Sequence, residues 1–127
     1  AQKQLGRFDV KYASLNDPAG ALSGGNLQKA IVAREIYRSP EVLIAAQPSR
    51  GVDIGATMFI HKKLVEMRDA GKAVLLISSE LSEIMSLSDR ILVMYNGSIV
   101  GETTPQQSTE EDIGLMMAGI AKEASRQ

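Results

Sequence analysis

The sequence predicts an α/β fold with parallel strands, intervening helices and a terminal β-hairpin. Three short apolar runs, each bounded by turn residues, alternate along the chain with segments of helix-compatible composition. That alternation is typical of parallel strands joined by crossover helices. An Asn-Gly pair follows the third run and is a strong signal for a two-residue turn between antiparallel strands.

The first part of the chain is predicted to contain one helix and one strand. Residues 1–20 show no clear periodicity and are expected to be irregular. Residues 27–38 have helix-compatible composition, and this helix ends at Ser39-Pro40 because a residue before proline is pushed out of the helical region. The apolar run Val42–Ala46 is predicted to be a buried strand because turn residues bound it.

A capped helix and a second strand follow. Asp53 can accept a hydrogen bond from a backbone N–H of the next turn, so it is predicted to be the N-cap of a helix over 54–70. Gly71 supplies the helix stop. The run 73–78 is the second predicted buried strand, and ligands of parallel sheets bind at the carboxyl ends of such strands.

The last part is predicted to begin with a short helix and a hairpin. Residues 80–87 form this helix. Strands over 90–95 and 98–102 then pair across Asn96-Gly97.

A final helix is predicted before the tail. Ser108 and Glu111 have the spacing of a capping box, in which each side chain accepts from the backbone N–H of the other residue. The helix is expected to end near Gly119. Residues 122–127 are expected to fray.

The composition excludes several classes of protein. A length of 127 residues suits one domain, and 14 Lys+Arg against 15 Asp+Glu argue against a nucleic-acid binder with a basic stripe. The absence of cysteine excludes disulfides, thiolate metal sites and a cysteine nucleophile, and a single histidine argues against a histidine metal site or triad. No apolar run suits a transmembrane helix, and the polar start of the chain is unlike a signal peptide.

The stretch Leu-Ser-Gly-Gly-Asn-Leu-Gln-Lys over 22–29 has the features of an anion site. Gly24 and Gly25 would let a ligand approach the backbone, where the unpaired N–H groups of a helix start face it. Ser23 adds a hydroxyl donor. A glycine-rich helix cap with no ligand is the alternative, and for these residues alone it is the commoner case.

The downstream segments decide in favour of a ligand site. The stretch 22–29 is followed in order by Gln-Pro-Ser-Arg-Gly-Val-Asp, Ile-Ser-Ser-Glu and Ser-Asp-Arg-Ile. Over residues 5–119 this order resembles the ATP-binding cassette (ABC) transporter ATPases, in particular the second cassette of the simple-sugar and nucleoside importers. The resemblance implies the C-terminal part of a P-loop NTPase (RecA-like) fold, in which Ser23, Gly24, Gly25 and Gln28 form the signature that contacts ATP held by a partner cassette. Asp53 then matches the D-loop at the cassette interface.

Three positions depart from the pattern of that family. The resemblance places an Mg²⁺-holding aspartate at Ala46 and a water-polarising glutamate at Gln47. It also places a histidine that contacts the γ-phosphate at Ser79. Alanine has no metal ligand, glutamine is a poor general base and serine cannot carry the charge of an imidazole. The resemblance therefore implies that these catalytic positions are degenerate, with no metal bound at this site.

A phosphate-binding Gly-x-x-x-x-Gly-Lys-Ser/Thr loop does not occur in the sequence. The chain is therefore expected to be one partial domain, the C-terminal half of a cassette without the Walker A strand. Its parts are the end of a helical subdomain and linker (1–21), the signature helix and α/β core (22–102) and the C-terminal helix and tail (103–127). The missing strand would leave a slot, which the chain is expected to close by pairing 73–78 with 90–95 or by exchanging strands in a dimer.

The resemblance implies a function for the parent protein. It would be the ATP-binding subunit of a sugar or nucleoside importer that uses ATP and Mg²⁺, with neither expected to bind this chain alone. Its partners would be a second cassette and transmembrane permease subunits, which would hold it at the cytoplasmic face of the membrane, with no nucleic acid involved.

Two alternatives stay open. One is half of an active ABC ATPase that uses Glu80 as its acid, and the other is a stand-alone α/β interaction module without nucleotide.

Overall fold

A computed structural model describes residues 2–120, with the side chain of residue 4 outside the description. Contacts divide the chain after Ile77 into two compact units. The elements of the first unit are α1 (Gln2–Arg7), α2 (Gly24–Tyr37), β1 (Val42–Ala46), α3 (Ile54–Asp69) and β2 (Ala73–Ile77). Those of the second are α4 (Leu81–Leu87), β3 (Ile91–Tyr95), β4 (Ser98–Thr103) and α5 (Glu110–Met117). The tail that was expected to fray, 122–127, lies outside the described residues.

The first unit is built on a parallel pair of strands. β1 and β2 pair in register from Val42 beside Ala73 to Ala46 beside Ile77, so their carboxyl ends meet. α3 packs on β2 and on α2. Its buried side chains follow helical spacing along one face, and they are Ala56, Ile60, Leu64 and Met67. The α/β prediction with parallel strands is confirmed.

The start of the chain is helical, so the prediction of an irregular segment over 1–20 is wrong for its first residues. α1 covers Gln2–Arg7, and the segment after it brings Phe8 and Val10 into a core cluster with Ala33 of α2. A short 3-10 turn covers Ala19–Ala21. Burial of these apolar side chains against α2 stabilises the segment, and this is a long-range contact that local periodicity does not reveal.

Strands β1 and β2 are half-buried, which corrects the prediction that both are buried. Burial alternates along each strand. Ile44 is 64% exposed and Leu75 is 51% exposed, and these two residues lie side by side in the pair. A strand that packs a helix on one face only shows this period of two, because successive side chains point to opposite faces.

The second unit is an antiparallel hairpin with two helices. β3 and β4 pair from Ile91 beside Thr103 to Tyr95 beside Ser98. Asn96 and Gly97 both have positive φ, of 49° and 79°, as the predicted hairpin turn requires. α5 packs on β3 and on α4. The core cluster of this unit consists of Ile91, Val93 and Ile113, flanked by Leu81, Ile84, Met85 and Met116.

The capping box of α5 lies one residue later than predicted. Thr109, not Ser108, is the N-cap, and its side chain accepts from the N–H of Asp112 while the Asp112 carboxylate accepts from the N–H of Thr109. The hydroxyl of Ser108 instead lies 2.7 Å from the hydroxyl of Thr103 at the end of β4. This hydrogen bond to a buried partner takes Ser108 away from the cap.

The strands of the described residues form two separate two-stranded sheets, β1–β2 and β3–β4. The direct pairing of 73–78 with 90–95, expected as one way to close the slot, would join the two units and stays a prediction. Exchange of strands in a dimer stays a prediction. Within residues 2–120, no helix combines the length and the apolar character needed to cross a membrane.

Candidate functional site

The first residue of the candidate site is Ser23, which is the N-cap of α2. Its hydroxyl oxygen accepts from the backbone N–H of Asn26 (3.4 Å) and from the side-chain amide of Asn26 (3.0 Å). The amide oxygen of Asn26 in turn accepts from the backbone N–H of Lys11 (3.0 Å). Because the Ser23 oxygen is the acceptor in both bonds, its own proton can be donated outward to a ligand.

Gly25 has a packing role that the sequence did not reveal. A methyl group at this buried position would lie 2.8 Å from the Oδ2 atom of Asp53 and 3.2 Å from the Cβ atom of Ala56. At Gly24 the nearest atom, the carbonyl oxygen of Gly51, would be 3.9 Å away. Gly24 is thus exposed and open to a ligand, whereas Gly25 lets the start of α3 approach α2 closely.

Asp53 is the N-cap of α3, as predicted. Its Oδ1 atom accepts from the backbone N–H of Ala56 at 2.9 Å, which fixes the carboxylate over Gly25. The structure therefore brings residues of the predicted signature and the predicted D-loop position together within the first unit. Whether Asp53 also contacts a second cassette stays a prediction.

Gln28 joins α2 to the loop after β1. Its side-chain amide donates to the carbonyl oxygen of Pro48 at 2.9 Å, and this contact is partly buried. In the same loop Gln47 has a φ of 48°, and its backbone N–H donates to the carbonyl oxygen of Ile77 at 2.7 Å. The contact of Gln28 with a nucleotide stays a prediction, and the structure adds a positioning role for this side chain.

A cavity of about 390 Å³ lies beside Ser23 in the first unit. It is bounded by the segment before α2, by the first turns of α2 and by the start of α3. Its lining residues are Asp9, Lys11, Ser23, Gly25, Asn26, Lys29, Asp53, Gly55, Ala56 and Phe59. This volume falls within the range of small-molecule sites.

Lys29 and Phe59, which line one wall of the cavity, belong to a cluster of lysines and aromatic rings. The ammonium of Lys29 lies 3.3 Å from the carboxylate of Asp9 and 5.1 Å from the centre of the Phe59 ring. Lys63 lies over the same ring and over that of Phe8, and the two rings meet edge to face at 6.2 Å. These cation–π and ring contacts stabilise the wall, since the Lys29 side chain is only 13% exposed.

The three positions that were predicted to be degenerate belong to different units. Ala46 ends β1, Gln47 follows it, and Ser79 follows Ser78 in the second unit, where it is exposed. Neither Ala46 nor Gln47 offers a carboxylate for Mg²⁺, which prefers such oxygen ligands. In the described part of the chain, no group of three or more His, Cys, Asp or Glu side chains could hold a metal ion. The residues after β1 thus do not fit a magnesium ion.

Sequence reasoning missed several residues of the site. The stretch 22–29 contains Asn26 and Lys29, but nothing in the linear pattern gave either of them a role. Lys11 and Phe59 lie far from that stretch in sequence and reach the cavity only through the fold. Lys11 is joined to the stretch by a hydrogen bond from its backbone N–H to the amide oxygen of Asn26, and the type of residue at position 11 does not indicate this bond.

Comparison with known proteins gives close relatives along the whole chain. No family model matches it. The chain is 56% identical over 127 residues to the guanosine import ATP-binding protein NupO of Bacillus subtilis, and 50% identical over 119 residues to the nucleoside import ATP-binding protein NupA of Lactococcus lactis. These alignments cover 99% and 94% of the chain but 25% and 24% of the relatives. The chain therefore spans about a quarter of the length of the curated relatives it matches.

Solved structures give the same fold. A dimeric bacterial ABC transporter cassette, MJ0796, superposes with a TM-score of 0.71 at 22% identity, over 82% of this chain and 45% of that one. A nucleotide-free ATP-binding cassette from an ABC transporter gives a TM-score of 0.70 at 26% identity, over 91% of this chain and 44% of that one. The described elements thus correspond to rather less than half of a cassette.

Proposed function

Since the chain belongs to the ABC family of nucleoside and sugar import ATP-binding proteins, we propose that it supplies the signature surface to an ATP site formed with a partner cassette. The observation that carries this proposal is the arrangement at Ser23. Ser23 is exposed, its hydroxyl oxygen is the acceptor in its hydrogen bonds with Asn26, and it stands at the N-terminus of a 14-residue helix. An outward hydroxyl proton and the positive end of α2 suit a phosphate group.

The site on this chain's own strands does not hydrolyse ATP under this proposal. Phosphoryl transfer depends on a metal ion and on charges placed around the γ-phosphate. Ala46, Gln47 and Ser79 supply neither a metal-holding carboxylate nor an imidazole. The chain would therefore assist the partner's ATP site while its own site is catalytically silent.

The parent protein would be the ATP-binding subunit of an importer for a nucleoside or a sugar, as its relatives are named. ATP and Mg²⁺ would bind at the partner's phosphate loop. Permease subunits would hold the assembly at the cytoplasmic face of the membrane. The chain alone would bind neither ATP nor Mg²⁺, because the phosphate loop is not among its residues.

Hydrogen exchange in the complete polypeptide tests the signature role. ATP is added to the assembled protein, and amide exchange is followed in peptides that cover 22–28 and, as a control, the hairpin turn 95–98. We expect ATP to slow exchange in 22–28 and to leave 95–98 unchanged, because bound phosphate would satisfy the exposed N–H groups at the start of α2. Exchange in 22–28 that does not respond to ATP would contradict the proposal, and it would favour a nucleotide-free interaction module.

Restoring the degenerate positions separates the proposal from an active site that uses Glu80. Glu80 precedes α4, and its backbone N–H donates to the hydroxyl of Ser78 at 3.0 Å. The triple substitution Ala46→Asp, Gln47→Glu and Ser79→His in the complete protein should raise ATP turnover, whereas Glu80→Gln should leave it unchanged. Loss of turnover in Glu80→Gln, with no gain in the triple variant, would support the active-site alternative.

A further inference from the structure

The cavity beside Ser23 contains two lysines with different surroundings. The Lys29 ammonium is paired with Asp9 at 3.3 Å and lies over Phe59, so its charge is largely compensated. Lys11 has an exposed side chain, and among the described residues no carboxylate lies within ion-pairing distance of its ammonium. Of the two lysines, Lys11 is therefore the one whose ammonium can turn to a ligand in the cavity.

The backbone of Lys11 is held in place beside the signature. Its N–H donates to the amide oxygen of Asn26, and the amide nitrogen of Asn26 donates to the hydroxyl of Ser23. Asn26 thus joins the two segments through side-chain hydrogen bonds of 3.0 Å each. A ligand that accepts from Ser23 would therefore lie in a cavity that the long side chain of Lys11 also lines.

The charges of the cavity favour an anion at this end. Asp9 is engaged with Lys29, and the carboxylate of Asp53 caps α3 and lies over Gly25. The positive groups left for a ligand are the Lys11 ammonium and the N-terminus of α2, whose effects on an anion have the same sign. A polyanion that contacts both groups would therefore bind more tightly than a neutral ligand of the same size.

We propose that Lys11 is a further nucleotide-binding residue, which contacts the phosphate chain of the ATP that the partner cassette holds. This rests on the proposed function of the signature and adds to it a residue 12 positions before Ser23. Lys11 supplies a charge-assisted hydrogen bond from the wall of the cavity, while Ser23 and the backbone of α2 supply neutral donors. Its role is binding, and no bond of the substrate is made or broken through it.

Steady-state kinetics of the complete protein test this assignment. In Lys11→Gln the KM for ATP should rise by at least about tenfold with kcat little changed, since a hydrogen bond from a charged group is lost. Added salt should raise the KM of the parent protein more than that of Lys11→Gln, because salt screens the charge. Lys11→Arg should recover most of the affinity. Lys62→Gln removes an exposed lysine that does not line the cavity, so it serves as the matched control.

The outcomes separate this inference from the function on which it rests. An unchanged KM in Lys11→Gln, or a fall in kcat alone, would overturn the role of Lys11. If ATP still slowed exchange in 22–28 of that variant, the signature proposal would stand. A rise in KM that Lys62→Gln reproduces would also overturn the inference, because it would reflect the net charge of the surface. Melting curves of each variant confirm that the fold is kept.

Discussion

Replacing Gly25 with alanine should disturb the contact between α2 and α3. A methyl group there would lie 2.8 Å from Oδ2 of Asp53, closer than carbon and oxygen approach without a shift. The carboxylate cannot simply turn away, because its Oδ1 atom accepts from the N–H of Ala56 at 2.9 Å. The same methyl group would lie 3.2 Å from the Cβ atom of Ala56, which the helix backbone holds in place. Either the cap of α3 breaks or the two helices move apart.

The change in the free energy of unfolding in Gly25→Ala combines two costs with one gain. Crowding in a packed contact costs about 1–3 kcal/mol, and loss of an aspartate N-cap costs a similar amount. Alanine gains about 0.5–1 kcal/mol over glycine within a helix. We therefore expect Gly25→Ala to lower the free energy of unfolding by about 1–2 kcal/mol. Gly24→Ala has the same advantage of alanine over glycine in a helix, and its methyl group would lie at an ordinary contact distance of 3.9 Å from the nearest atom. This substitution should therefore leave the free energy of unfolding unchanged or raise it.

Urea denaturation of the two variants and of the parent chain measures this difference. The midpoint of Gly25→Ala should fall while that of Gly24→Ala stays or rises, with equal denaturant slopes. In an Asp53→Ala background, Gly25→Ala should cost less, because one of the two crowded atoms is gone. Equal midpoints for the two glycine variants would refute the packing role of Gly25, as would additive costs with Asp53→Ala.

Three further predictions concern other parts of the fold. Ile60→Ala should cost about 2–5 kcal/mol by urea denaturation, because Ile60 is fully buried on α3, and a cost below that range would contradict its core role. Gly97→Ala should lower the melting temperature because φ is 79° there, whereas Gly20→Ala, with open space around it, should not. The hydrogen bond and charge of Arg90 lower the pKa of Glu102, so the stability from this pair is present above the usual carboxyl range and is lost as pH falls through the lowered value. The melting temperatures of the parent chain and Glu102→Gln should thus converge at acid pH, and a gap that widens there would contradict the pairing.

Elements with local signals were predicted well from the sequence. β1 has the predicted bounds, since an apolar run is enclosed there by Pro40 on one side and a turn on the other. Asp53 caps α3, and the turn at Asn96-Gly97 has the positive φ angles that these residue types tolerate. In each case the residues that specify the feature are within a few positions of it, so no tertiary contact had to be known.

Features that depend on distant partners were missed. α1 has no apolar periodicity of its own, and its segment packs through Phe8 and Val10 against α2. The sequence around 108–112 allows two overlapping capping boxes, and the hydrogen bond between the hydroxyls of Ser108 and Thr103 favours the later one. An apolar strand also does not reveal whether one or both of its faces are covered. These choices depend on residues that are remote in sequence.

At the candidate site, too, features with a local signal were predicted and features that depend on distant residues were missed. Ser23 and the exposed position of Gly24 follow from the pattern of residues 22–29. The close approach of Asp53 to Gly25 does not, because it depends on where α3 packs. Lys11 is held beside the cavity by a hydrogen bond from its backbone N–H to Asn26. Every residue type except proline can donate such a bond, so the identity of residue 11 does not predict it.

ATP turnover of the complete protein after Ser23→Arg tests the signature role most directly. The arginine side chain would fill the exposed start of α2 and block the hydroxyl donor, while the exposed position of Ser14 offers Ser14→Arg as a control of equal charge and size. If this chain completes the partner's ATP site, Ser23→Arg abolishes turnover and Ser14→Arg does not. Turnover that survives Ser23→Arg at the parent level would contradict the role of this surface in ATP hydrolysis.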